Sequence, residues 1–140
     1  MSLWDTIGCD QFLAPTRQFT RNSNAAIICC SLNDSDFELD KAKFWTHIFL
    51  KDTPTCKIYL TGTKCDLPTV GSIDTKLKEY ANLYCARYIE TSSKDGTNVT
   101  ELMRMIARDW ILSETSKQKR TPDETFDLEE NKGTSNSKCC

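Results

Sequence analysis

Two short polar groups carry the residue types and spacing that could do chemistry. Thr63-Lys64-Cys65-Asp66 closes the apolar run Ile58-Tyr59-Leu60-Thr61-Gly62, and Ser92-Ser93-Lys94 closes a second run, Arg87-Tyr88-Ile89-Glu90-Thr91. If both runs are strands of one parallel sheet, both groups fall on the same rim, where open α/β folds bind ligands. A carboxylate held there, Asp66, can accept two parallel hydrogen bonds from the N1–H and exocyclic N2–H₂ of guanine. No other common base offers that donor pair. Lys64 can lay its methylene stem along the face of the base, and the backbone N–H of Ser93 would serve the guanine O6.

The elements needed to position these groups can be read from periodicity. Asn24 to Leu32 is almost continuously apolar, as strands buried on both faces are. Ser35 followed by Glu38 has the form of a capping box opening a helix to about Lys51, with Phe37, Trp45, Ile48 and Phe49 as its core-facing stripe. Cys56 to Thr61 is the next strand. Ile73, Leu77, Tyr80, Ala81 and Tyr84 then recur at helical spacing. Asn98 with Glu101 opens a last helix, on which Val99, Leu102, Met103, Ile106 and Trp110 share a face. Strands alternating with helices imply an α/β fold with a parallel sheet and flanking helices. The aromatic and methionine stripes are read as core packing.

With the motifs in this order, the chain resembles the Ras-like small GTPases. Their guanine-reading motifs are Asn-Lys-x-Asp and Ser-Ala-Lys, and Trp4-Asp5-Thr6-Ile7-Gly8 is similar to the Trp-Asp-Thr-Ala-Gly that opens switch II of the Rab branch. The terminal Cys139-Cys140 resembles a Rab prenylation site. Ala42-Lys43-Phe44-Trp45, the form Gly62-Thr63-Lys64-Cys65-Asp66 and a lost switch-II glutamine are most like a divergent, autophagy-linked Rab subfamily. The resemblance runs from Leu3 to about Leu112.

It implies GTP/GDP and Mg²⁺ as ligands. The nucleotide would be held by Asp5, Gly8, Thr63, Lys64, Asp66, Ser92, Ser93 and Lys94. In the family the residue matching Asp5 holds Mg²⁺ through water, and the glycine matching Gly8 lends its N–H to the γ-phosphate. The position of the glutamine that orients the attacking water is Cys9, whose thiol is too short and too weak a hydrogen-bond partner for that task. No histidine lies near Cys9 in sequence to make it a nucleophile, so no catalytic residue is assigned. Thr63 stands where the family has asparagine, and Ile7 where it has alanine.

The phosphate-gripping G-x-x-x-x-G-K-[ST] does not occur, and the five glycines, Gly8, Gly62, Gly71, Gly96 and Gly133, stand alone. By the resemblance, the chain opens inside the third strand of an incomplete P-loop NTPase (Ras-like) fold. Residues 1–112 are then the C-terminal part of a Rab-type GTPase domain. Such a chain is expected to bind nucleotide weakly or not at all. The strand Asn24 to Leu32 would be left with an open, aggregation-prone edge.

The chain has 140 residues and a formal net charge of −2, enough for one small domain. Its longest apolar run, Ala25 to Cys30, is far too short to span a bilayer. No signal peptide is expected. Eight cysteines with no Cys-x-x-Cys, and a single histidine, His47, do not form a zinc pattern. The six internal cysteines are expected to be reduced.

From Ser113 the chain turns polar, and residues 113–140 read as a disordered hypervariable tail ending in the Cys-Cys motif. Lys117, Lys119 and Arg120 precede acidic Asp123, Glu124, Asp127, Glu129 and Glu130, which argues against nucleic-acid binding and a polybasic anchor. Cys139 and Cys140 gain no packing there, and stable membrane anchoring takes two lipid signals. The resemblance adds escort and prenylation machinery and effectors as partners. It sets the chain in the cytosol and on the cytosolic face of endomembranes. Two readings stand: a Rab-type GTP-binding switch of vesicle or autophagic traffic, or a non-catalytic Rab-like remnant acting as an interaction protein.

Overall fold

A computed structural model describes residues 2–6, 20, 21, 23–34 and 37–118. Three strands, β1 (Ala25–Ser31), β2 (Lys57–Thr63) and β3 (Arg87–Glu90), form a parallel sheet in the order β1-β2-β3. The helices are α1 (Phe37–Asp52), α2 (Ile73–Leu83) and α3 (Val99–Gln118). The expected α/β alternation is present, and each strand lies within two residues of the range its apolar run suggests.

Side chains on a strand alternate between faces, and the register shows which face each one joins. Ala26 pairs with Ile58 and Ile28 with Leu60. These four, with Cys30 and Leu32, pack under Ala42 of α1 and Ile73, Leu77 and Ala81 of α2. Tyr59 faces the other way and meets Leu102 and Ile106 of α3, with Ala25, Ile27 and Ile89 partly buried around them. Among the described residues β1 pairs only with β2, so its outer edge is open.

The α3 side is pinned by a carboxylate. Asp109, only 8% exposed, accepts the Tyr59 hydroxyl at 2.9 Å and lies 3.4 Å from the Arg87 guanidinium. Its backbone carbonyl accepts the Lys57 ammonium at 3.0 Å. Burial, followed by this bond to Asp109, drives the Tyr59 phenol well above its ordinary value.

Phe37, Tyr84 and Trp110, expected on core-facing stripes, are exposed, and four further details differ from the sequence reading. Glu38 is buried, but its carboxylate accepts the Ser31 backbone N–H at 2.9 Å and the Lys41 ammonium. It therefore ties the start of α1 to the end of β1, whereas Ser35 lies outside the described residues. Asn98 adopts a left-handed φ of 56°, which Asn tolerates, and its side-chain amide donates to the Glu90 carbonyl at 2.9 Å. It joins β3 to α3.

The third difference is at the C-terminal end. α3 continues to Gln118, beyond the change of composition at Ser113. No glycine or proline intervenes, and the Ser113 and Thr115 hydroxyls donate back to the Trp110 and Ile111 carbonyls. The fourth concerns the thiols. Cys29, Cys30, Cys56 and Cys65 are free as expected, but Cys85 is disulfide-bonded. It sits exposed in the turn that ends α2, where it is accessible as the buried thiols are not. Its φ of 52°, with Cys85 N–H on the Asn82 carbonyl and Ala86 N–H on that of Ala81, makes this turn a Schellman-type cap.

Candidate functional site

The C-terminal ends of β2 and β3 run directly into the two polar groups, and backbone hydrogen bonds join them. Thr91 N–H donates to the Gly62 carbonyl at 2.8 Å, and Cys65 N–H donates to the Thr91 carbonyl at 3.1 Å. The ladder therefore continues past the last paired residues of the strands. Beneath it the Thr61 and Thr91 hydroxyls share a 2.9 Å hydrogen bond in the core. Lys64 takes a left-handed φ of 61°, and Leu67 N–H closes the turn on the Lys64 carbonyl at 3.0 Å.

That turn delivers Asp66 to the second group. The Ser92 hydroxyl, fully buried, donates to Asp66 Oδ1 at 2.6 Å. Ser92 Oγ in turn accepts the Lys94 backbone N–H at 3.2 Å. The Lys94 ammonium lies 3.6 Å from Asp66 Oδ2, and the Asp66 side chain is only 13% exposed. The loop around Ser92 is closed by Ser92 N–H on the Thr97 carbonyl and by Gly96 N–H on the Ser92 carbonyl. Gly96 supplies the positive φ of 82° that this turn needs. Asp95 accepts the Thr97 backbone N–H at 2.9 Å, and that bond above all holds its carboxyl below the usual range.

Chemically, the arrangement presents an oriented carboxylate between two exposed lysines, Lys64 and Lys94. A carboxylate has about four lone-pair sites, so accepting from Ser92 leaves capacity for two parallel donors. This donor-acceptor set fits a guanine edge.

Six of the expected site residues come together here: Thr63, Lys64, Asp66, Ser92, Ser93 and Lys94. Asp5 is exposed and makes no bond to them; its charge reaches Cys29 of β1, where it adds to burial in raising the thiol. Gly8 and Cys9, and the lipidation candidates Cys139 and Cys140, fall outside the described residues. Among the described residues no group of three metal-ligating side chains is assembled, so the Mg²⁺ reading gains no support from the geometry. No described helix is long and apolar enough to cross a membrane.

A supporting network leaves little trace in the sequence. Tyr88 donates its hydroxyl to Asp74 Oδ1 at 2.7 Å, and the Lys78 ammonium bridges Asp74 and Glu90 at 2.7 and 2.9 Å. The Tyr88 hydroxyl lies directly against Gly62, where a β-carbon would collide with it. The strand end that leads into Thr63 is thus fixed by α2 and β3 together. Only the i, i+4 spacing of Asp74 and Lys78 is a sequence signal; their meeting with Tyr88 and Glu90 is tertiary. On the β1 side, Asn33 donates its side-chain amide to the Pro68 carbonyl at 2.9 Å and Val70 N–H donates to the Leu32 carbonyl. These bonds hold down the loop beyond Asp66.

The family profile described as Ras family matches residues 1–112. The chain is 35% identical over 114 residues to Ras-related protein Rab-24 of Dictyostelium discoideum, covering 79% of this chain and 56% of that protein. It is 34% identical over 116 residues to Ras-related protein Rab-39A of Homo sapiens, covering 78% and 51%. With GTP-binding protein YPT1 of Saccharomyces cerevisiae the identity is 31% over 140 residues, covering 99% and 66%. The chain spans about half to two-thirds of the length of these curated relatives.

Proposed function

The chain belongs to the Ras family, as a Rab-like small GTPase, and from that premise we propose that its function is that of a GTP-binding switch in vesicle or autophagic traffic. The observation that carries this reading is the Asp66 carboxylate, pinned by Ser92 at 2.6 Å beside Lys94 on the rim of the sheet. Asp66 would read N1–H and N2–H₂, Lys64 would cover the face of the base, and Ser93 N–H would meet O6.

GTP or GDP with Mg²⁺ is the ligand set of this proposal. Asp5 and Gly8 are its candidates on the metal and γ-phosphate side, and Cys9 in the glutamine position makes hydrolysis slow. These 140 residues contain no G-x-x-x-x-G-K-[ST], so this chain forgoes the phosphate contacts on which nucleotide positioning rests. It binds guanine ligands weakly, through the base. Cys139 and Cys140 are proposed as prenylation sites that bring the protein, with escort machinery and effectors, to the cytosolic face of endomembranes.

The experiment is an NMR titration of the chain with guanosine and inosine at millimolar concentration. Guanosine should bind better, since inosine lacks the 2-amino group. Asp66→Asn, which replaces one acceptor by a donor, should lose guanosine and gain xanthosine. Equal binding of guanosine and inosine refutes the base-reading role. Sub-micromolar GTP affinity in Mg²⁺ refutes the weak-binding part.

A further inference from the structure

We propose that this site reads guanine by its N1/N2/O6 edge alone and leaves the imidazole nitrogen N7 unread, with Thr63 as the residue that sets this tolerance. The inference rests on the guanine reading above and goes beyond it, because it names which part of the purine can be altered without loss.

The two sides of β2 are used differently at the rim. Asp66 is drawn toward β3 by Ser92 Oγ at 2.6 Å, so a base bound through N1 and N2 has that end on the β3 side. Its imidazole ring, at the opposite end of the purine, then extends over β2 toward β1. The polar side chain at the strand end on that side is Thr63. Its hydroxyl donates to the Cys30 backbone carbonyl at 3.2 Å, and its own carbonyl accepts Leu32 N–H at 3.0 Å.

A threonine hydroxyl has one proton to give. N7 of guanine is an acceptor only, so it needs a donor, and the Thr63 proton is already committed to β1. A β-branched side chain is stiff about χ1, and the strand pairing fixes the backbone up to Thr63 itself. The hydroxyl therefore has no cheap route to the ligand. Asn33, on the loop after β1, has one of its two amide protons on the Pro68 carbonyl at 2.9 Å, a bond that holds it to that loop.

The test is a comparison of guanosine with 7-deazaguanosine, in which N7 is a C–H, by NMR titration of the full chain, with inosine as the control for base reading. The expected result is that guanosine and 7-deazaguanosine bind within about 2-fold of each other while inosine is weaker. Thr63→Val keeps the shape and removes the hydroxyl, so the ratio should stay near 1 whatever happens to stability. Thr63→Asn supplies an amide donor and should shift the ratio toward guanosine by about 2- to 10-fold, the range of one neutral hydrogen bond. A wild-type preference for guanosine of 5-fold or more overturns the proposal. Guanosine preferred over inosine, with 7-deazaguanosine rejected, overturns it while leaving the guanine reading intact. Failure to prefer guanosine over inosine removes the guanine reading and this inference with it.

Discussion

Replacing Gly62 by alanine should destabilise the fold through one identifiable collision. A β-carbon on Gly62 would sit inside contact distance of the Tyr88 hydroxyl and 2.8 Å from Leu32 Cδ2, against about 3.5–4.0 Å for a comfortable carbon contact. Neither neighbour can move freely. Leu32 is 1% exposed, and the Tyr88 hydroxyl is held by Asp74 at 2.7 Å. Adding a methyl group to a filled site costs about 1–3 kcal/mol. Pushing Tyr88 aside also weakens its bond to Asp74. Hydrogen bonds to charged groups are worth about 1.5–3 kcal/mol, but Asp74 keeps a side chain 26% exposed and water replaces part of the loss, so about 1 kcal/mol is taken here. The expected total is about 2–4 kcal/mol, a large share of a domain's usual 5–15 kcal/mol.

Urea unfolding of the dilute chain, followed by tryptophan fluorescence, is the assay. With a slope of about 1–3 kcal/mol per molar, the midpoint should fall by about 1–2 M. The diagnostic step is the double variant with Tyr88→Phe, which deletes the colliding oxygen. Its cost should be less than the sum of the single costs by about 1–2 kcal/mol. Additivity within about 0.5 kcal/mol, the behaviour of uncoupled sites, would refute the collision with Tyr88 as the cause.

Asp109→Ala should cost about 1–3 kcal/mol because it orphans the buried Tyr59 hydroxyl; Tyr59→Phe on that background should cost little more, as read by the same unfolding curves. Hydrogen bonds from Lys78 and Tyr88 outweigh the burial that opposes ionisation and hold Asp74 below its ordinary 3.8, so its contribution is complete above that value and lost as pH falls through the folded one. Asp74→Asn should flatten this acid limb of stability against pH. Burial pushes the Cys30 thiol up to about 12 and Cys56 to about 11 from an ordinary 9.0. Their contribution is therefore intact below pH 9 and lost as pH climbs from there toward those values; mass spectrometry after alkylation of the native chain at pH 8 should find both unmodified, and urea should expose them. The open edge of β1 should make self-association rise with concentration, and a charge at the exposed Cys29, Cys29→Lys, should suppress it in sedimentation velocity runs.

The elements were legible because their apolar patterns are local. Ala25–Ser31 is a run of small and apolar residues, and Ile73, Leu77 and Ala81 recur at helical spacing and are all buried. The rim motifs were legible for a related reason, since each follows directly on a strand that can be seen in the sequence. What connects the motifs was not visible. Nothing near Ser92 in sequence announces that its hydroxyl holds Asp66, 26 positions away. Glu38 reads as a local cap partner, yet it reaches back to Ser31, and Asn98 reads as a cap, yet it bonds Glu90. In both cases a polar side chain next to a helix start had a competing backbone group on the preceding strand. Sequence spacing cannot rank those two partners without the distance between strand and helix.

The same bonds bear on how self-contained the base-reading rim is. The end of β2 is anchored on both flanks by backbone groups: Leu32 N–H on the Thr63 carbonyl toward β1, and Thr91 N–H on Gly62 with Cys65 N–H on Thr91 toward β3. Its side chains follow the same division, Thr63 to Cys30 and Asp66 to Ser92. Every partner in this set lies between residues 30 and 97, at the ends of three strands that pair with one another or in the loops that follow them. The conformation of the rim is therefore set by contacts inside that stretch. Phosphate and metal contacts, wherever they arise in a longer protein, would add affinity to a base-reading geometry already in place. Hence discrimination between guanosine and inosine should survive in this chain even where the affinity for either is low.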